Sequence, residues 1–324
     1  MKTSVALCTY NGEKFLKQQI DSILEQTKQV DEIVVCDDGS KDSTLQILED
    51  YRNRYPNLFR IYSNENNLGS IKNFEKAIGL CTYEIIFLSD QDDIWLPEKV
   101  AEYCEYFQNH PEIEVLASNG FGIDEEGKVL DVFTLWDIIV EQKKMDPQFS
   151  YFEILNFVGN FATGASMAFR KEFIAECFPF PIIRDLHHDG WIALVAVSKN
   201  SLELLPGKYF KYRKHNDQQV GGVLFKNIPK LKKRIQRFVS IHDLSNQSFG
   251  NYKNILKRLS VAYDRNRLLK DVSEFYRPLF ENNLKIIEDL FSTYTQRMRN
   301  KYPTRYHLLN IVDKIKNKRQ LNRE

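Results

Sequence analysis

Three polar clusters in the first hundred residues have the composition to handle a charged ligand: Thr9-Tyr10-Asn11, Asp37-Asp38 and Asp90-Gln91-Asp92-Asp93. Carboxylates crowded into a few residues repel one another, and a hard cation relieves that cost. Mg2+ and Mn2+ take oxygen ligands. Mg2+ is commonly held by only one or two carboxylates, with water and substrate phosphates filling its other positions. Asp90, Asp92 and Asp93 therefore suit a metal–diphosphate in an open crevice better than a closed protein cage. Alone, the same acids would be a solvated turn that caps a helix; their position and companions argue for the ligand. At the second cluster one carboxylate can cap the following helix. The other can accept hydrogen bonds from a nucleobase N–H or a ribose hydroxyl. Asp38 takes the binding role, and Asp37 is open between the two. Tyr10 can stack on a base or pack as an ordinary aromatic.

The elements that carry these clusters are legible in the residue pattern. Each cluster ends an apolar run: Ser4–Cys8, Glu32–Cys36 and Glu84–Leu88, with a further run at Phe59–Tyr62. Between the runs lie helical spacings: Phe15, Ile20, Ile23 and Leu24; Leu45, Ile47 and Leu48 behind Ser40 as cap; Phe74, Ala77 and Ile78 behind Ser70. Strands alternating with helices predict parallel βαβ units in a doubly wound α/β sheet. Ligands of such sheets bind at the carboxyl ends of the strands, so the three clusters should share one crevice. Farther on, Val115–Ala117 predicts a strand and Asp124–Gly127 a turn. Phe161–Arg170 predicts a loop entering a strand, Asp185–Val197 a capped helix, and Leu202–Leu205 with Tyr209–Tyr212 a strand pair. Gly164, Ala165 and Ser166 are small enough either to let a ligand approach the backbone or simply to pack tightly. Trp95 and Trp191 can form stacking walls for a ligand or be packing residues. Asp189, near the start of its helix, reads by itself as an N-terminal acid.

The motifs CTYNGEKFLKQQIDSILEQT, IVVCDDGSKDST, NENNLG and FLSDQDDIWLPEK, in this order and spacing, resemble glycosyltransferase family 2 of the GT-A fold. The likeness spans about residues 1–100 most clearly and continues to about 222. SDQDDIW, with HHDGW and YRKHNDQQVGG downstream, resembles the bacterial rhamnosyltransferase-like branch. The resemblance implies a GT-A mixed sheet, a nucleotide-diphospho-sugar donor, Mg2+ or Mn2+, and inverting transfer of a hexosyl group to a hydroxyl. That hydroxyl would belong to a glycan or lipid-linked glycan, in polysaccharide or surface glycan synthesis. It implies that Thr9, Tyr10, Asn11 and Asp38 hold the nucleotide and that Asp90 faces the ribose or diphosphate. Asp92 would bind the metal, helped by His215, and Asn73, with Lys72, would touch the nucleotide side. Asp189 would be the catalytic carboxylate. By residue type, and not through the resemblance, Trp95, Trp191 and Gly164 are candidates for walls against an acceptor sugar, with plain packing the alternative. Many members place Glu before that Asp; this chain has His188.

Composition narrows the alternatives. The chain has 324 residues, 43% hydrophobic and 27% charged, an ordinary soluble balance. Its net charge of +1 hides an asymmetry. Residues 225–324 hold 23 Lys or Arg against 9 Asp or Glu, and residues 1–224 hold 22 against 35. Beyond Phe225 the pattern also turns helical, which places a boundary there and a basic helical region over 225–324; the resemblance implies a catalytic domain over 1–224, with a nucleotide-sugar half to about 112 and an acceptor half to about 224. In the basic region, Ile228, Leu231, Ile235, Phe238, Val239 and His242 recur near helical spacing among Lys230, Lys232, Lys233, Arg234 and Arg237. The stretch suits an anionic lipid surface, packing on the catalytic domain, or self-association. No RNA- or DNA-reading motif accompanies the charge, which argues against nucleic acid.

The five cysteines, Cys8, Cys36, Cys81, Cys104 and Cys177, form no CxxC pair and read as reduced core residues. No signal segment or membrane-length apolar run is present, so the expected location is the cytoplasm or the inner face of the membrane. A nucleotidyltransferase would show a Gly-rich basic loop after the first strand, where this chain has Thr9-Tyr10-Asn11-Gly12-Glu13. An oxidoreductase would show GxGxxG. A non-catalytic sugar- or membrane-binding protein is the remaining alternative.

Overall fold

The computed structural model describes residues 1–146, 149–183, 186–215, 222–239, 248–272, 274–316 and 318–321. Asp185, residues 216–221 of the YRKHNDQQVGG motif, and His242 lie outside the described residues.

The elements run β1 (Thr3–Thr9), α1 (Leu16–Leu24), β2 (Glu32–Asp37), α2 (Thr44–Arg54), β3 (Phe59–Ser63), α3 (Ser70–Leu80), β4 (Ile85–Ser89) and β5 (Ile94–Trp95). Then come α4 (Lys99–Asn109), β6 (Val115–Ile123), β7 (Val132–Thr134), α5 (Leu135–Met145), and a short α6 (Tyr151–Glu153) continued by a π turn, Ile154–Val158. A 3-10 turn (Gly164–Ser166) leads to β8 (Ala168–Arg170), α7 (Lys171–Cys177), α8 (His188–Ser198), β9 (Leu202–Arg213) and β10 (Leu224–Lys226). Helices α9 (Pro229–Val239), α10 (Phe249–Leu269), α11 (Arg277–Lys301) and α12 (Pro303–Lys316) follow.

The main sheet has the order β3-β2-β1-β4-β8-β6-β9-β5. The first four strands are parallel, β8 runs against both β4 and β6, β9 is parallel to β6, and β5 is antiparallel to β9. Every residue of β1, β2 and β4 is buried, which is why these strands read as unbroken apolar runs. A two-stranded ribbon, β7 with β10, is separate from this sheet.

Two local expectations are corrected. The helix after β2 starts at Thr44, and Ser40 does not cap it. Ser40 instead donates its hydroxyl to Asp37 and accepts the Asn11 N–H at 2.8 Å. The expected pair Leu202–Leu205 and Tyr209–Tyr212 is one strand, β9. Its partners on β6 step from Ser118↔Leu205 to Asn119↔Lys208, so Pro206 and Gly207 bulge out of the ladder.

The chain separates into two compact units: Met1–Pro147 with Asn160–Lys233, and Gln148–Gly159 with Arg234–Glu324. The second unit thus includes a segment from within the first 224 residues. Phe152, Phe157 and Val158 of that segment pack with Leu256, Leu259, Ile287 and Tyr294 of the long helices. Arg265 donates to the carbonyls of Leu155 and Asn156 at 3.0 and 3.1 Å. Among the described residues no helix is long and apolar enough to cross a membrane.

Candidate active site

The site is built on adjacent strand ends of the first unit. Asp37 lies level with Thr9 across β1 and β2, and Ser89 pairs with Leu7 across β1 and β4. With strands about 4.8 Å apart, Asp38 and Asp90 stand on tips about 10 Å apart. Gln91 clips β4 to β1: its Oε1 accepts the Tyr10 N–H at 2.8 Å and its Nε2 donates to the Tyr10 carbonyl at 3.0 Å.

The second cluster is spent largely on shaping the loops. Asp37 is fully buried and accepts from Thr9 Oγ1 at 2.8 Å and from the N–H groups of Gly39 and Ser40. Gly39 makes this turn with φ 81°, a left-handed conformation that favours glycine. Asp38 Oδ1 accepts from Asn64 Nδ2 and the Leu68 N–H, both at 2.8 Å, and Oδ2 accepts the Gly69 N–H at 2.9 Å. Asp38 therefore fixes the NENNLG loop beside the tip of β2. Asn11, at φ 48°, holds the Lys41 N–H with its side chain. Tyr10 is 44% exposed, so its ring is free to receive a flat ligand.

The third cluster meets residues from distant parts of the chain. Asp189, in the first turn of α8, accepts the Gly164 N–H at 3.1 Å. A side chain on Gly164 would bring its Cβ to 3.4 Å from both Asp90 Oδ2 and His188 Nε2. The missing side chain thus leaves a gap that the Asp90 carboxylate and the His188 imidazole both border. Asp92 Oδ2 lies 2.8 Å from His215 Nε2, and His215 Nδ1 is buried without a partner among the described residues. Burial, then the charges of Asp92 and Asp189, push the Asp90 carboxyl well above the usual range. Burial does the same to Asp93, whose Oδ1 accepts the Arg213 N–H at 2.9 Å.

Two buried cations that the sequence reading did not single out stand behind the acids. Arg213 is fully buried. Its Nε donates to the Asp92 carbonyl at 2.7 Å, while its other nitrogens reach the carbonyls of Asp124 and Glu125 and Gln18 Oε1. One residue at the end of β9 thereby pins the Asp92 loop to α1 and to the turn after β6. Lys99 donates to the Ala165 carbonyl at 2.7 Å, and burial pushes its amine down to about 7 against the upward pull of Asp93 and Asp90. Lys99, Tyr103 and Phe107 share one helix face, so the i, i+4 spacing was the available signal for an enclosed lysine. Arg213, on a strand rich in charged and aromatic residues, gave no such signal.

Three residues expected at a ligand are enclosed by the fold. Asn73 is 2% exposed; its Nδ2 donates to the Cys36 carbonyl and its Oδ1 accepts from Asn64, so it straps α3 to β2. Trp191 is 1% exposed and donates its indole N–H to the Cys177 carbonyl at 3.0 Å. Trp95 is 2% exposed, with Lys99 Nζ 4.1 Å from its ring. Rings so enclosed offer no face to a sugar; large aromatics went to the core because they bury the most apolar area.

His188 is buried, stacked on Phe74 at 4.0 Å, and neither ring nitrogen has a partner among the described residues. Burial pushes its imidazole down to about 4, with Asp189 pulling the other way. An unfolded histidine titrates near 6.5, so between these values the unfolded chain binds the extra proton. Stability is intact above pH ~6.5 and is lost as pH falls toward ~4, by roughly 3 kcal/mol in all. Urea unfolding at pH ~7 and ~4 should show a drop that His188→Leu reduces by about that amount; equal drops in both proteins would reject a buried neutral His188.

The residues fit a divalent cation. Asp92 and His215 supply oxygen and nitrogen donors side by side, and repulsion among Asp90, Asp92 and Asp189 favours a positive charge. Among the described residues no three His, Cys, Asp or Glu side chains form a metal cage. Two protein ligands leave room for water and phosphate.

Comparisons with known proteins bear on the family and the fold. A family model described as Glycosyl transferase family 2 matches residues 4–178. The dTDP-rhamnosyl transferase RfbG of Shigella flexneri is 32% identical over 229 residues, 66% of this chain and 73% of that protein. An uncharacterized glycosyltransferase of Methanocaldococcus jannaschii, MJ1057, is 29% identical over 213 residues, 65% of this chain and 70% of that protein. The crystal structure of S. aureus TarS 1-349 in complex with UDP-GlcNAc has a TM-score of 0.52 at 19% identity, spanning 92% of this chain and 82% of that one. The architecture is a mixed α/β sheet of the GT-A kind followed by C-terminal helices.

Proposed function

The chain belongs to glycosyltransferase family 2, and from that premise we propose that it is an inverting, metal-dependent hexosyltransferase. It moves a sugar from a nucleotide diphosphate donor to an acceptor hydroxyl, with rhamnose the leading candidate because RfbG is named a dTDP-rhamnosyl transferase. The single observation that carries this reading is the meeting of Asp90, Asp92, Asp189, His215 and Gly164 at the strand ends.

The residues divide the work. Tyr10 and the loops shaped by Thr9, Asn11 and Asp38 receive the nucleotide. Asp90 faces the ribose or diphosphate. Asp92 and His215 hold Mg2+ or Mn2+, which when bound offsets charge building on the leaving diphosphate. Gly164, itself buried, gives its N–H to Asp189 and helps hold that carboxylate beside the sugar. An acceptor hydroxyl is a weak nucleophile, so Asp189 takes its proton as attack proceeds. One direct displacement inverts the anomeric centre. The acceptor is a glycan or lipid-linked glycan in bacterial polysaccharide or surface glycan synthesis. The protein works in the cytoplasm with its basic helical region toward the inner membrane surface.

A thermal-shift panel of dTDP-rhamnose, UDP-GlcNAc and GDP-mannose, with and without Mn2+, tests the donor assignment. A donor at ~100 times its Kd adds about 2.7 kcal/mol, which for a protein of this size raises Tm by roughly 4 °C. The expected result is a rise with one donor that depends on the cation. Rises that ignore the cation would remove the metal from donor binding, and a flat response to all three would remove these nucleotide sugars as donors.

A further inference from the structure

Helix α12 (Pro303–Lys316) carries two apolar faces. Tyr306 and Leu309 turn inward and pack against the second unit's core, which includes Tyr252, Tyr294 and Met298. On the other face Leu308, Ile311, Val312 and Ile315 are 65%, 46%, 41% and 78% exposed. At about 100° per residue these four fall within an arc of about 100°. Arg305 and Lys316 border the arc on one side and Lys314 on the other. The helix's one acid, Asp313, is buried and paired with Arg319. The unit's own core is complete without the outer stripe, so folding does not account for four large aliphatic side chains in water.

We propose that this stripe is a membrane-docking face. Helix α12 lies in the plane of an anionic bilayer surface, with Leu308, Ile311, Val312 and Ile315 among the acyl chains and Arg305, Lys314 and Lys316 at the lipid phosphates. Charge selects this occupant. Residues 225–324 hold 23 Lys or Arg against 9 Asp or Glu, so a second copy pairing symmetrically through the same face would bring like charge, whereas anionic lipid brings the opposite sign. The long basic side chains can lay their stems along the apolar edge while their charges stay with the phosphates. The basic stretch over 228–242, open in the sequence between lipid, packing and self-association, is already engaged in part: Lys232 pairs with Glu141, and Arg258 donates to the Phe238 carbonyl and lies over the Phe238 ring. Docking through α12 narrows the membrane part of the proposed function to one helix face, and it stands independently of the transfer reaction.

Vesicle co-sedimentation of the full chain tests it. Vesicles of phosphatidylcholine with about 30 mol% phosphatidylglycerol should carry the protein down, and pure phosphatidylcholine should not. Salt at about 0.5 M should weaken the binding. Ile311→Glu with Ile315→Glu, and separately Arg305→Glu with Lys316→Glu, should each lower the partition by about tenfold or more. Melting temperatures should stay near wild type because these side chains face solvent; Ile315→Glu alone serves if the double variant melts early. Absence of binding to anionic vesicles, or binding untouched by both double variants, would overturn the proposal. So would a dimer in sedimentation equilibrium that Ile311→Glu with Ile315→Glu dissociates, which would give the stripe to a second copy. A loss of vesicle binding with nucleotide-sugar thermal shifts intact separates failure here from failure of the donor assignment.

Discussion

Asp189→Asn is expected to keep donor binding and to lower sugar transfer by about 10²–10⁴-fold, the range supplied by a positioned general base. The carboxylate is held from two sides. Oδ1 accepts the Gly190 N–H at 2.6 Å and Oδ2 the Gly164 N–H at 3.1 Å. These bonds use part of its accepting capacity and leave lone pairs for an acceptor proton. An asparagine has the same shape, but its amide cannot take a proton, and its NH2 must turn toward one of the two backbone N–H groups. That mismatch costs stability on the order of 1–3 kcal/mol, a loss that Tm reads separately from the rate. Calorimetric titration with the donor found in the thermal-shift panel, beside initial transfer rates, distinguishes the roles. A variant that transfers at near wild-type rate would leave Asp189 as an N-terminal helix acid and nothing more.

Chelation is the second large effect. Millimolar EDTA should abolish transfer, and excess Mn2+ or Mg2+ should restore it. Asp92→Ala should fall by about 10³-fold, the scale of several kcal/mol of transition-state charge stabilisation, and added cation should not rescue it. The loop should survive this substitution. Arg213 grips Asp92 through its backbone carbonyl, and Asp93 holds the Arg213 N–H; neither needs the Asp92 side chain. The side chain meets His215 at 2.8 Å. Circular dichroism and Tm close to wild type, with transfer lost, would tie the loss to the site. Full transfer in chelator would reject the metal role of Asp92 and His215 together.

Three of the parallel strands could be read because each is buried on both faces and so written as a continuous apolar run with a polar stop. Ser4–Cys8, Glu32–Cys36 and Glu84–Leu88 became β1, β2 and β4 within a residue or two. The back of the sheet resisted. β8 is three residues long, and β9 carries a bulge at Pro206-Gly207 that looks in sequence like a break between two strands. Ser40 resembled a cap because Ser caps helices, but the nearby Asp37 carboxylate competed for its hydroxyl and won.

Residue order alone sets the alternation of strand and helix, and with it that Thr9, Asp37 and Asp90 reach the same end of one sheet. It also placed acids in excess in the first two thirds and bases in the last third. Only the tertiary structure decided which polar groups are used up by the fold and which stay available. Asp37 is closed over by Thr9, Gly39 and Ser40, and Asn73 by Cys36 and Asn64, while Asp92 meets a histidine 123 positions away and Asp189 meets Gly164. The physical reason is that satisfaction of a hydrogen-bonding group is a property of its neighbours in space. No local pattern distinguishes a carboxylate that folding has filled from one that folding has left facing a ligand.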